Sequence, residues 1–161
     1  MLAFFISEFK RFKYAFTLLF FCVFLQKIIM AKIVSLSEAA SIALHGMVLV
    51  AKDEAHTNVQ KIADETTSSR HHVAKIMQRL VKDDFLESFR GPKGGFRLKR
   101  KPEEITFLEI FESIEGKIAI TSCPLDKQVC GFDKCIMNNI TKKMTIQFQE
   151  YMREQTLADF L

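Results

Sequence analysis

Between Phe85 and Lys99 the chain changes its hydrophobic period and doubles back on itself. Phe85-Leu86-Glu87-Ser88-Phe89-Arg90 alternates apolar and polar as a strand does. Gly91-Pro92-Lys93-Gly94-Gly95 is a turn, and Phe96-Arg97-Leu98-Lys99 resumes the alternation. This pattern predicts a β-hairpin. Everything between Ser35 and the hairpin has a helical period instead, so any fold must carry a hairpin directly behind a set of helices.

The helices have their own start signals. Ser35-Leu36-Ser37-Glu38 reads as a capping box, in which Ser35 takes an orphan N–H and Glu38 reaches back. A first helix is expected from there to about Lys52, with Leu36, Ala40, Ala43, Leu44, Met47, Val48 and Ala51 facing inward. Thr57-Asn58-Val59-Gln60 opens a short helix to about Glu65, and Thr66-Thr67-Ser68 breaks it. Ser68 or Ser69 caps a third helix to about Asp83, with Val73, Ile76, Met77 and Leu80 inward. Two helices joined by a short polar turn make a helix-turn-helix, and the hairpin behind them is a wing.

Charge follows the same division. Residues 57–101 hold 11 Lys/Arg against 5 Asp/Glu, whereas residues 102–161 hold 6 against 10. A basic middle favours a polyanionic partner. On a winged helix-turn-helix that partner is double-stranded DNA: Ser69, Arg70, His71, His72 and Lys75 occupy the early turns of the helix that enters the major groove. Arg90 and Lys93 at the wing tip lie along the duplex, with Arg97, Lys99, Arg100 and Lys101 trailing behind. At 161 residues, with 48% hydrophobic and 26% charged, the chain reads as an ordinary globular protein. Four Cys at this length exclude a dense disulfide scaffold. A phosphate loop, nucleophile elbow or paired-acid motif is missing, so an enzyme is not expected.

The first thirty residues are of a different character. Half of the 16 Phe lie before Met30, and Lys13 and Lys27 bracket an uncharged run from Tyr14 to Gln26. As a helix that run spans roughly 20 Å, short of the about 30 Å of a bilayer core. No small-x-small cleavage site follows it. The expectation is that Met30-Ala31-Lys32 is the true start, that residues 1–29 are a mis-called leader, and that no membrane is involved. Residues 30–101 are then the DNA-binding domain, and 102–161 a cysteine-loop sensor with a dimerisation helix.

In that last part, Thr106-Phe107-Leu108-Glu109 caps a helix, and Cys123, Cys130 and Cys135 follow as C-x(6)-C-x(4)-C in a loop with Pro124 and Gly131. Three thiolates on a loop can converge on one soft metal centre. The spacing is not that of a zinc ribbon, and no His lies within or after the loop. Free thiols, or one disulfide with a spare, are the competing readings. A long final helix carries Ile136, Ile140, Met144, Ile146, Phe148, Tyr151 and Met152 as an apolar stripe, which either a second chain or the monomer itself covers.

Leu86-x-Ser88-x-Arg90-Gly91-Pro92-x-Gly94-Gly95-Phe96-x-Leu98 resembles the wing signature of the bacterial IscR/NsrR regulators, the Rrf-two family of winged-helix transcription factors. The resemblance extends through Leu36-Ser37-Glu38-Ala39-Ala40, Ile62-Ala63, Glu104-Ile105-Thr106, Ile114-Glu115-Gly116 and Thr156-Leu157-Ala158-Asp159, and covers about residues 33–161. It implies a mainly α fold with a small β-hairpin wing and a long C-terminal dimerisation helix. It further implies a cytoplasmic homodimer that binds an imperfect palindrome and senses iron, redox state or nitric oxide through an iron–sulfur cluster, 2Fe-2S or 4Fe-4S, on Cys123, Cys130 and Cys135. In the nitric-oxide-sensing branch the remaining ligand is an acid near the start of the partner subunit's first helix, and Glu38 falls at that place. Its capping role would explain Glu38 without a metal. His45 is the second choice as ligand, or a packed interior His. Where the family often has Tyr-Leu-Glu on the recognition helix, this chain has His72-Val73-Ala74, so no operator sequence carries over. A cluster-free regulator using the three Cys as a thiol switch is the alternative.

Overall fold

The structure is a computed structural model that describes residues 35–53, 57–91, 94–121, 123, 131, 133 and 136–161. Among these are five α-helices, two single 3-10 turns and one two-stranded sheet. Helices α1 (Glu38–Lys52), α2 (Val59–Thr66) and α3 (Arg70–Lys82) precede the hairpin of β1 (Leu86–Phe89) and β2 (Gly95–Leu98). Helices α4 (Phe107–Glu115) and α5 (Ile140–Glu154) follow it. Leu36–Leu161 forms one compact unit. The mainly helical winged architecture expected from the sequence is present.

Helix α1 is the centre of the core, packing against α2, α3 and α4. Its small residues make this possible: Ala40 and Ala43 are fully buried, and a Cβ on Gly46 would lie 3.0 Å from Met77 Sδ of α3. The inward face is wider than the periodicity suggested. Ile42, Gly46 and Val50 are buried with Ala40, Ala43, Leu44 and Met47, whereas Leu36 lies ahead of the helix and is 43% exposed. The start signal also shifts by two residues. Ser37, not Ser35, is the cap: its backbone is extended and its Oγ accepts from the Ala40 N–H at 2.9 Å. Glu38 is therefore the first helical residue, two positions before the one from which it could close a capping box.

Val73, Ile76, Met77 and Leu80 of α3 are all buried as expected. The hairpin pairs Leu86 with Leu98 and Phe89 with Gly95 in antiparallel register. Its turn depends on glycine. Gly91 sits at φ +109°, and a Cβ on Gly94 would fall 2.5 Å from the Phe89 carbonyl oxygen.

Thr106 and Glu109 form the reciprocal capping box anticipated for α4. Helix α5 packs on α4, with Phe111 and Phe148 edge to face at 5.4 Å. Its end is pinned to the start of α4 by Phe107 N–H to the Gln155 carbonyl (2.9 Å) and Leu157 N–H to that of Ile105 (3.1 Å). The apolar stripe of the final helix divides accordingly. Met152 is buried and Met144, Ile146 and Phe148 are half-buried, while Ile140 and Tyr151 are exposed, as is Ile136 just before the helix. Among the described residues no helix is long and apolar enough to cross a membrane. The expectations for residues 1–29 lie outside the described residues.

Candidate nucleic-acid interface and cysteine segment

The helix-turn-helix is built by three local devices. Asn58 caps α2 by accepting from the Lys61 N–H at 2.9 Å. Thr67 ends it in the left-handed region, φ 52° and ψ 37°, an unfavourable place for a β-branched residue. Ser69 then starts α3 by accepting from the His72 N–H at 3.2 Å. The wing is fastened to this unit from the other side, because Phe96 of β2 pairs with Thr57 in front of α2.

Arg70, His71 and Lys75 are exposed on α3, Ser69 is exposed at its cap, and Arg90 is exposed where the wing turns. Neither Arg70 nor Lys75 has an ion-pair partner among the described residues, so both charges face solvent. His72 departs from the expected exposed face. It is half-buried, and its Nδ1 lies 3.5 Å from Glu38 Oε1 at the start of α1. The exposed face continues to Gln78, which the sequence reading missed. The signal was the helical spacing itself, since Gln78 lies seven residues beyond His71 and three beyond Lys75. Lys93 lies outside the described residues.

The basic stretch after the wing is less available than its composition suggested. Arg97 is ion-paired with Glu87 and lies over the Phe89 ring at 4.6 Å, and Lys99 pairs with Asp84. Arg100 pairs with Glu109 at 3.3 Å and stacks over Phe85 at 5.2 Å. These three hold the wing to its own base. The Lys99 ammonium, by hydrogen bond and then by charge, lowers the Asp84 pKa below 3.8.

Cys123 is a half-buried thiol; Cys130 and Cys135 lie outside the described residues. Among the described residues no three His, Cys, Asp or Glu side chains converge as a metal site. Glu38 closes no capping box, since Ser37 is the cap of α1, and its side chain is 66% exposed. His45 is exposed rather than packed inside. Its Nδ1 lies 2.7 Å from the Ser41 carbonyl, which can only accept, so Nδ1 is the donor in that bond. It borders an apolar cavity of about 330 Å³ lined by Leu44, Val48, Leu49, Phe107 and Phe160.

A helix-turn-helix with a strapped hairpin wing and a solvent-facing basic helix defines a winged-helix DNA-binding regulator. The chain belongs to the Rrf2 family, described as iron-dependent transcriptional regulators, whose pattern matches residues 36–161. Among its relatives, the HTH-type transcriptional regulator NsrR of Bacillus subtilis is 26% identical over 107 residues, 65% of this chain and 73% of that one. Among solved structures, CymR, the global cysteine regulator of B. subtilis, matches with a TM-score of 0.63 at 24% identity, covering 79% of this chain and 95% of that one. IscR of T. potens matches with a TM-score of 0.61 at 23% identity, covering 78% and 85%. These relatives are transcriptional regulators, not enzymes.

Proposed function

We propose that this regulator acts as a cytoplasmic homodimer whose hold on an imperfect palindrome is controlled by an iron–sulfur cluster, 2Fe-2S or 4Fe-4S, on Cys123, Cys130 and Cys135. The observation that carries the reading is the donor set. Three thiols stand on one thirteen-residue segment, beyond a helix packed on the DNA-binding unit, in a family described as iron-dependent. Thiolates are the ordinary ligands of such clusters, so the residues fit the group. When bound, the cluster supplies a centre that reacts with oxygen or nitric oxide or is lost when iron is scarce. Glu38 from the partner subunit is the proposed remaining ligand. Its exposure leaves it open to a second chain, and a carboxylate oxygen is a labile donor to a soft centre.

On the DNA side, α3 enters the major groove with Arg70 and His71 toward base edges. Ser69 and Lys75 meet the backbone, His72 lies at the edge of the contact, and Arg90 and Lys93 track the phosphates. Residues 30–101 form the reading part and 102–161 the sensing and dimerising part, with Ile136, Ile140 and Tyr151 covered by the second copy. Anaerobic purification tests the cluster. Brown protein containing iron and sulfide is the expected result. Protein that stays colourless and iron-free after reconstitution would overturn it in favour of a thiol switch on the same three Cys.

A further inference from the structure

Helix α1, the last turn of α2 and the start of α4 border the apolar cavity of about 330 Å³. That volume is at the low end of the roughly 300–1,000 Å³ of small-molecule sites, so it suits a metabolite the size of an amino acid and is too small for a dinucleotide. One wall is aromatic, with Phe107 of α4 and Phe160 of the C-terminal 3-10 turn stacked at 4.8 Å. Val48 lines the α1 side, one turn before Lys52. Ile140 and Tyr151, the exposed α5 residues assigned to the second copy, do not line it.

Two opposite charges stand on the rim. Lys52 lies in the last turn of α1 and Glu65 in the last turn of α2, and both are exposed. Lys61, one turn before Glu65 on the same face of α2, reaches Asp53, the neighbour of Lys52, at 3.0 Å; this brings Glu65 toward the Lys52 end of the cavity. Lys52 and Glu65 nevertheless do not pair with each other, and neither has another ion-pair partner among the described residues. Thr66 adds an oxygen that can only accept, because its hydroxyl proton is given to the Ile62 carbonyl at 2.7 Å. An ammonium suits Glu65 and Thr66, a carboxylate suits Lys52, and an apolar chain suits the cavity between them. A carboxylate alone would be repelled by Glu65, and an amine alone by Lys52.

We propose that this cavity is an effector site for an α-amino acid with an apolar side chain. The ammonium sits on Glu65 and Thr66, the carboxylate on Lys52, and the side chain against Phe107 and Phe160. Thr66 is followed directly by Thr67, the left-handed residue that ends α2, and then within two residues by Ser69, the cap of α3. A ligand held here therefore bears on the turn that sets the recognition helix. The site requires neither the cysteine segment nor a cluster.

Titration calorimetry of the full reduced chain tests the site with L-alanine, L-2-aminobutyrate, L-norvaline and L-norleucine. Affinity should rise about fourfold with each added methylene as it enters the cavity. Hexanoate and pentylamine, which are norleucine without its ammonium or without its carboxylate, should each bind about fivefold or more weakly. Lys52→Met should weaken norleucine and hexanoate alike, whereas Glu65→Gln should weaken norleucine and leave hexanoate no weaker. Val48→Phe should fill the cavity and abolish binding, with thermal unfolding confirming that the variant is folded. Saturating norleucine should change affinity for an operator selected by the ligand-free chain by about threefold or more, and Glu65→Gln should lose that response. Absence of saturable binding, as expected if a second copy covers the cavity, overturns the site. So does affinity that ignores side-chain length or either rim substitution. Binding that follows the series while operator affinity stays unchanged overturns the effector role.

Discussion

Thr57 and Phe96 exchange both of their backbone hydrogen bonds, Phe96 N–H to the Thr57 carbonyl at 2.9 Å and Thr57 N–H to the Phe96 carbonyl at 3.3 Å. This places the returning strand of the wing on the link that leads into the helix-turn-helix. Thr57 is fully buried, with its hydroxyl within reach of the Leu49 carbonyl (3.2 Å) and Asp53 Oδ2 (3.1 Å). Thr57→Val keeps the shape and removes the donor, so it should cost about 1–3 kcal/mol in urea unfolding. Unchanged stability would mean that water supplies what the hydroxyl does now.

Gly94→Ala should disrupt the wing. Its Cβ would lie 2.5 Å from the Phe89 carbonyl and 2.9 Å from that of Gly91, both backbone atoms that cannot move without opening the turn. Gly91→Ala meets nothing within 4 Å and is strained only by its φ of +109°, so it should cost no more than about 1–2 kcal/mol. NMR of the hairpin amides separates the two, with the register lost in the first variant and retained in the second.

Thr67→Gly should stabilise the chain by up to about 1 kcal/mol, since it removes the Cβ penalty of the left-handed turn between α2 and α3. Thermal unfolding reads this directly. A drop in melting temperature would show that the Thr67 side chain contributes something its exposed position conceals.

Reading and positioning contacts should separate by their salt dependence. Arg70→Ala or His71→Ala should change sequence preference, with about 1–3 kcal/mol lost for a true base contact. Lys93→Ala should weaken all duplexes alike and flatten the salt slope. Operator selection and titrations over a range of salt concentrations measure both. If none of the three substitutions alters binding, α3 and the wing are not the DNA surface.

Ser37 and Glu38 now predict different outcomes. Ser37→Ala removes the α1 cap and should cost about 0.5–2 kcal/mol in apo and cluster-loaded protein alike. Glu38→Ala removes an exposed pair and should cost at most about 1 kcal/mol in the apo chain. In the cluster-loaded protein it should shift the visible spectrum, whereas Cys123→Ala should abolish the cluster. An unchanged spectrum in Glu38→Ala would send the search for the remaining ligand to His45.

The C-terminal turn should be acid-labile. Asp159 accepts from the Thr156 N–H (2.7 Å) and hydroxyl (2.8 Å), and these bonds lower its pKa from 3.8. A depressed carboxyl stabilises the fold above its unfolded pKa, and that contribution disappears as pH falls through the lowered folded value. The Asp159 side-chain NMR resonance should therefore titrate below 3.8, and Asp159→Asn should remove the transition.

What the sequence by itself determined is what repeats or closes over a few residues. Val73, Ile76, Met77 and Leu80 follow the helical period, and the Thr106–Glu109 box closes over three residues. The hairpin turn is dictated by backbone geometry around Gly91 and Gly94. Each is a short-range constraint, and each stands in the structure as the sequence suggests. Only the tertiary structure decided where long side chains find partners. It took Arg97, Lys99 and Arg100 out of the free basic patch, turned His72 toward Glu38, and set Ser37 rather than Ser35 at the start of α1, with Glu115 beside it. Those partners lie up to 78 residues apart in the chain. A charge or hydroxyl carries no local mark of its partner, because the pairing is set by how helices and hairpin pack rather than by spacing along the backbone.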